Sequence, residues 1–176
     1  MKVRLTDYDD SWVILFEQET DRLREIFGQY IIKFEHFGST SVPGLKAKPV
    51  IDLMCIVQDI EKIDGFNLQM SLMGYDVAGE WGISGRRLFR KGGAHRTHHV
   101  HMYQFDNPQI LRHLILRDYL RAHPAEVERY AKLKEELVSR DDDTHFYSQA
   151  KRPFVKEMEQ RALQWFQVHM IDSSHV

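Results

Sequence analysis

Nine consecutive residues, Pro49-Val50-Ile51-Asp52-Leu53-Met54-Cys55-Ile56-Val57, are apolar at every position but one. A run this short and this rich in β-branched residues predicts a strand covered on both faces. The exception, Asp52, is costly in such a strand, because a carboxylate taken out of water must face a cleft, a metal or a strong donor. A backbone group that it caps is the plainer alternative.

The rest of the pattern supplies flanking elements. Asp9 or Asp10 can cap a first helix by accepting from its free N–H groups. Trp12, Leu15, Phe16, Leu23, Ile26 and Phe27 then recur at helical spacing up to a stop at Gly28. Residues 31–37 read as a strand, followed by a turn of small residues, Gly38-Ser39-Thr40-Ser41-Val42-Pro43-Gly44. A weaker helix is expected over 60–73, interrupted at Asp64-Gly65 and ended by Gly74, with strands over 75–81, 86–91 and 97–105. Asn107-Pro108 is a strong helix start, an N-cap side chain followed by a residue whose missing N–H is harmless at the first position. The remainder reads as helical, with breaks near Pro124 and at Asp141-Asp142-Asp143-Thr144. The fold class is therefore α+β (mixed α/β), a small mixed sheet of about five strands flanked by helices, with a helical C-terminal third. No repeat or linker divides the 176 residues, so one domain over 1–170 is expected, with a disordered tail over 171–176.

Composition narrows the function. With 24 Lys+Arg against 26 Asp+Glu and a net charge of −2, the chain has no global field to hold a polyanion. Nucleic acid is disfavoured as a partner, and any phosphate recognition must be local. No apolar run approaches the ~20 residues that span a bilayer, so no membrane partner is expected. The start, Met1-Lys2-Val3-Arg4-Leu5-Thr6-Asp7, turns acidic before a signal peptide's apolar region could form. The single Cys55 fits a reducing compartment, and a cytoplasmic protein is the expectation.

Three groups of residues could carry chemistry. A Gly38-Ser39 turn after a strand can aim backbone N–H groups and a hydroxyl at a phosphate, with Thr40 and Ser41 adjacent. Lys48, between that turn and Asp52, is a placed phosphate cation. In Thr97-His98-His99-Val100-His101, alternation puts His99 and His101 on one face and His98 on the other. With Asp52 they can form a two-His, one-carboxylate metal site that suits Mn²⁺, Fe²⁺ or Zn²⁺, or they can move protons. His36 is a further candidate; a polar sheet face is the alternative. From Trp81 to Phe105 there is no acidic residue, whereas Arg86, Arg87, Arg90, Lys91 and Arg96 all occur. Arg suits phosphate through its planar fork, although a solvated hairpin looks the same. In the helical third, Arg117 and Arg121 share a face beside Asp118, which also fits an ion pair. Tyr147 and Lys151, four apart, can close a site from above or form a core Tyr with a snorkelling Lys.

Residues 35–53, Glu35-His36-Phe37-Gly38-Ser39-Thr40-Ser41-Val42-Pro43-Gly44-Leu45-Lys46-Ala47-Lys48-Pro49-Val50-Ile51-Asp52-Leu53, resemble the signature of the GrpB family. The resemblance continues through Leu72-Met73-Gly74-Tyr75, His98-His99-Val100-His101, Leu116-Arg117-Asp118-Tyr119-Leu120-Arg121, Tyr130-Ala131-Lys132-Leu133-Lys134 and Tyr147-Ser148-Gln149-Ala150-Lys151. It implies a nucleotidyltransferase-like fold in which the Gly-Ser turn leads into a nucleotide cleft. In that superfamily's pattern Gly38, Ser39 and Asp52 match, and Met54 stands where a second acid belongs. Two-metal phosphoryl transfer uses paired acidic oxygens, so Asp52 alone implies at most one Mg²⁺ or Mn²⁺ held with a nucleoside triphosphate. The resemblance thus implies Asp52, His99 and His101 as catalytic and metal residues. Gly38, Ser39, Thr40, Ser41, Lys48, Arg117 and Lys151 would bind the phosphates of a small-molecule nucleotide. Two alternatives stand beside nucleotidyl or phosphoryl transfer. One is a non-catalytic nucleotide-binding domain, since similar domains occur fused to a coenzyme A biosynthetic kinase. The other is a metal-dependent hydrolase built on His36, His99, His101 and Asp52.

Overall fold

The computed structural model describes residues 2–173. Seven residues of the apolar run form β2 (Ile51–Val57), an interior strand of a five-stranded sheet. With β1 (Ile31–Phe37), β3 (Tyr75–Gly79), β4 (Arg86–Lys91) and β5 (His98–Gln104), the order is β1-β2-β5-β4-β3. β2 and β5 run parallel, and every other pair is antiparallel.

Helices cover both faces of β2. On one face Leu53, Cys55 and Val57 pack with Leu23 and Phe27 of α1 (Ser11–Phe27) and Met70 of α2 (Asn67–Leu72). On the other, Met54 packs with Phe37 and Tyr103 beneath Ile110 and Leu114 of α3 (Pro108–Ala122). Leu53, Met54, Cys55 and Val57 are all fully buried, and each such side chain stabilises the fold by about 1.5–3 kcal/mol. α4 (Pro124–Arg140), α5 (Thr144–Ala150) and α6 (Arg152–Ser173) complete the helical third. Tyr119, Tyr130 and Met158 join α3, α4 and α6 in a second core. No helix among the described residues is long and apolar enough to cross a membrane.

The punctuation residues act as their chemistry dictates. Asp9, not Asp10, caps α1 by accepting from Ser11 N at 2.8 Å. Asn107 Oδ1 accepts from Gln109 N at 2.9 Å to start α3. The expected helix over 60–73 is a 3₁₀ helix, Glu61–Phe66, that runs through Asp64-Gly65, followed by the short α2, so the division falls after Phe66 rather than at the expected break. The inward face of α1 is rotated from the apolar pattern: Leu15 is exposed and Glu19 is buried. Glu19 accepts from Tyr75 Oη at 2.5 Å and from Lys91 Nζ at 2.7 Å, partners forty or more residues away that periodicity could not reveal. α6 runs on to Ser173, into the segment expected to be a tail; 174–176 lie outside the described residues.

Candidate functional site

Sheet register assembles the site. Phe37, Asp52, His99 and Arg90 stand side by side across β1, β2, β5 and β4, and Glu35, Met54, His101 and Leu88 form the next row. Members of these rows share one face of the sheet. α3 covers the second row at Met54 and leaves Asp52 and His99 facing a cleft of about 200 Å³.

Two imidazoles converge on the carboxylate. Asp52 Oδ1 lies 3.4 Å from His99 Nδ1 and 3.3 Å from His101 Nε2. Burial alone would raise the Asp52 pKa, but hydrogen bonds from His101 and His99 outweigh it and hold the carboxyl well below the usual range. Burial pushes His101 the other way, down, so it is neutral at neutral pH. Its Nδ1 lies 3.4 Å from Nη1 of Arg86. A guanidinium can only donate, so Nδ1 accepts and the ring's one proton sits on Nε2, toward Asp52.

Asp52, His99 and His101 each bring one ligand atom, all within 4.8 Å of one another. Two nitrogens and one oxygen suit a divalent transition metal better than Mg²⁺. A metal-bound imidazole normally donates its second N–H to an acceptor, whereas His101 meets a donor there. The donor set thus fits one cation on Asp52 and His99, with His101 as the hydrogen-bond partner of Asp52.

Gly38 ties the turn to this carboxylate. Its backbone is at φ +72°, ψ −172°, a region almost confined to glycine, and a Cβ there would lie 2.7 Å from Asp52 Oδ2. The following 3₁₀ turn, Ser39–Ser41, presents three hydroxyls with different partners. Thr40 Oγ1 pairs with His36 Nε2 at 2.9 Å, and Ser41 Oγ donates to Gly38 O at 2.6 Å. Ser39 Oγ accepts from Lys134 Nζ at 2.6 Å, and Lys134 also donates to Lys46 O at 2.9 Å. Lys134 is 1% exposed, and burial holds its pKa well below the usual lysine value.

Two more lysines line the cleft. The Lys48 and Lys151 ammonium groups lie 5.6 and 5.0 Å from the centroid of the Tyr147 ring, and neither ammonium has a hydrogen bond or ion pair among the described residues. Burial, reinforced by Lys48, lowers Lys151 to about 8, and burial lowers Lys48 as well. Lys48, Lys134 and Lys151 thus surround one carboxylate, so the cleft suits an anion.

Other candidates are held elsewhere. His36 is on the opposite sheet face, stacked on Phe16 at 4.9 Å and lowered by burial to about 4, so it leaves the proposed His/Asp metal set. Arg117 does not line the Asp52 cleft. It donates to Glu35 Oε2 at 2.7 Å and His36 O at 3.0 Å, tying α3 to β1. The basic run is largely structural: Arg87 pairs with Asp64, Lys91 with Glu19 and Arg96 with Asp76. The central position of Lys134 had a signal in the sequence. Val127, Tyr130, Lys134 and Leu137 form the buried stripe of α4, and a lysine on an apolar stripe needs a reason. The bond from Arg86 to His101 had none.

The comparisons agree with this architecture. The chain is 47% identical over 165 residues to the UPF0157 protein YqkA of Bacillus subtilis, a match that covers 93% of this chain and 48% of that one. The chain therefore spans about half the length of that relative. The crystal structure of conserved protein GrpB from Enterococcus faecalis matches with a TM-score of 0.89 and 46% identity, over 93% of this chain and 99% of that one. A dephospho-CoA kinase of Mycolicibacterium paratuberculosis is 24% identical over 189 residues, covering 93% of this chain and 46% of the kinase. The family model for GrpB protein matches residues 2–161, and the chain belongs to the GrpB family.

Proposed function

We propose that the cleft binds the phosphates of a nucleoside triphosphate with one divalent cation, Mg²⁺ or Mn²⁺, and transfers a nucleotidyl or phosphoryl group to a small molecule. The observation that carries this reading is the pair Lys48 and Lys151, two ammonium groups with no ion pair of their own and the single carboxylate of Asp52 between them, facing Ser39 across the cleft. A polyphosphate supplies the missing negative charge. Ser39 is held between Lys134, from which its oxygen accepts, and Tyr130, and would turn its hydroxyl from Tyr130 to a phosphate oxygen on binding. Asp52 stays ionised at any physiological pH and, with His99, would hold the cation. Held there, the cation would supply Lewis-acid stabilisation of the phosphate charge. His101 keeps Asp52 oriented through its Nε2 proton.

A second reading is a domain that binds nucleotide without turning it over. Met54 favours it: the position of the second acid is fully buried under α3 and offers nothing to a second cation. The similarity to less than half of a dephospho-CoA kinase is compatible with such an accessory role. A thermal-shift titration with ATP, GTP, CTP and UTP, with and without Mg²⁺ or Mn²⁺, tests both beside Asp52→Ala. A ligand at a hundred times its Kd stabilises by about 2.7 kcal/mol, a midpoint rise of roughly 5–10 °C in a chain of this size. The proposal expects a cation-dependent rise with at least one nucleotide, abolished in Asp52→Ala, and release of phosphate or pyrophosphate on incubation with an acceptor. Binding without turnover favours the second reading. No shift with any nucleotide, but a large one with Mn²⁺ or Zn²⁺ alone, overturns both in favour of a His/Asp hydrolase.

A further inference from the structure

A phosphate cleft of about 200 Å³ is smaller than the roughly 300–1,000 Å³ of ordinary ligand pockets. It does not end at Lys48. A second cavity of about 420 Å³ shares Lys48, Val50 and His99 with it and is also lined by Leu88, Trp81 and Arg90.

Trp81 is the unusual member. It is 62% exposed, and it is the one non-glycine residue with positive φ (+43°) among the described residues. An aromatic residue in that region is strained and persists only where its surroundings fix it. Arg86 does so: its Nη2 donates to Trp81 O at 2.7 Å and its Nε to Glu80 O at 3.1 Å. The same guanidinium reaches His101, so one buried side chain sets both the indole and the partner of Asp52. The Arg90 guanidinium lies 4.5 Å from the Trp81 ring centroid, and its buried Nε has no hydrogen-bond partner. An exposed ring held over an apolar floor, beside an unpaired buried donor, is the arrangement that stacks a planar heterocycle and bonds its ring acceptors.

We infer that this second cavity is a base subsite. It takes the heteroaromatic ring of the nucleotide whose phosphates lie on Lys48 and Lys151, stacked on Trp81 with a ring acceptor toward Arg90. The inference rests on the phosphate reading of the adjoining cleft and adds to it what that cleft's cations cannot supply, recognition of the base.

The test uses the full chain and compares inorganic tripolyphosphate with ATP, GTP, CTP and UTP, by calorimetry for affinity and by tryptophan fluorescence for location. Trp12 is a buried residue of α1 and Trp165 of α6 packs against the second core, both away from this cavity, so quenching by a bound base reports on Trp81. At least one nucleotide is expected to bind about tenfold tighter than tripolyphosphate and to quench, as stacking on an aromatic ring gives roughly 5- to 150-fold. Trp81→Gly relieves the positive φ and so preserves the fold. It should remove the tenfold advantage and the quenching and leave tripolyphosphate affinity unchanged, and Trp81→Phe should retain most of the advantage. Equal affinity for nucleotides and tripolyphosphate, or unchanged nucleotide affinity in Trp81→Gly, overturns the base subsite while the phosphate cleft stands. Failure of tripolyphosphate and nucleotides alike overturns both.

Discussion

Gly38→Ala measures how tightly the turn is pressed against Asp52. The backbone there is at φ +72°, ψ −172°, and forcing an L side chain into that region costs about 1–3 kcal/mol. The new Cβ would also lie 2.7 Å from Asp52 Oδ2, 3.0 Å from its Cβ and 3.2 Å from its Cγ. Asp52 cannot swing away freely, because its Oδ1 is shared by His99 and His101. Overpacking of this kind adds about 1–3 kcal/mol, for a total of about 2–6 kcal/mol. In a chain of 176 residues that lowers the thermal midpoint by roughly 4–24 °C. Circular dichroism melts of the wild type, Gly38→Ala, Asp52→Ala and the double variant separate the two contributions. Removing the carboxylate eliminates the 2.7 and 3.2 Å contacts, so the two substitutions should couple by about 1 kcal/mol or more. A drop below about 2 °C in Gly38→Ala, or strict additivity in the double variant, refutes the reasoning.

Three further outcomes follow from the same geometry. Lys134→Ala leaves a cavity and strips Lys46 O of its donor, so urea unfolding should show a loss of about 2–4 kcal/mol; Lys132→Ala, at an exposed helical pair with Glu128, should stay within about 0.5 kcal/mol. Tripolyphosphate affinity should fall as pH rises through about 8, where Lys151 loses its proton, and calorimetry of Lys151→Met should show that pH dependence flattened. The sign for folding is opposite: the Lys151 pKa is lowered by folding, so between about 8 and 10.5 the unfolded chain binds the extra proton and this group's contribution to stability rises with pH. Arg117→Ala breaks a partly buried bridge between α3 and β1 and should cost about 3 kcal/mol in urea unfolding, yet leave tripolyphosphate affinity within twofold.

The parts of the fold written in local chemistry were legible in the sequence. β1 and β4 run as expected, Asn107 caps α3, and β2 is covered on both faces because its residues are apolar at both parities. The alternation in β5 separated His99 and His101 from His98, and the placement of the first two beside Asp52 follows from register alone. What stayed hidden depends on contacts between distant elements. Glu19 looked like a surface residue of α1 until Tyr75 and Lys91 arrived from β3 and β4. Arg117 read either as a phosphate residue or as an ion-pair residue beside Asp118; it does bond Asp118, and only the fold shows its second partner, Glu35, 82 positions away. His36 lies two residues before Gly38 but points to the other sheet face, since strand parity separates it from Asp52's partner Phe37. Lys134 was visible as a charge on a buried stripe, and only the packing of α4 against the turn shows that it reaches Ser39.

The central claim is that Lys48 and Lys151 make the cleft a polyphosphate site. Calorimetric titration of inorganic tripolyphosphate at pH 7 into the wild type and into Lys48→Met/Lys151→Met tests it most directly, since both substitutions keep the aliphatic stems against Tyr147. The account predicts one-to-one binding to the wild type and a loss of at least tenfold in the double variant, at a thermal midpoint no lower than the wild type's because two charges that burial disfavours are removed. No binding to the wild type, or equal binding to both proteins, contradicts it.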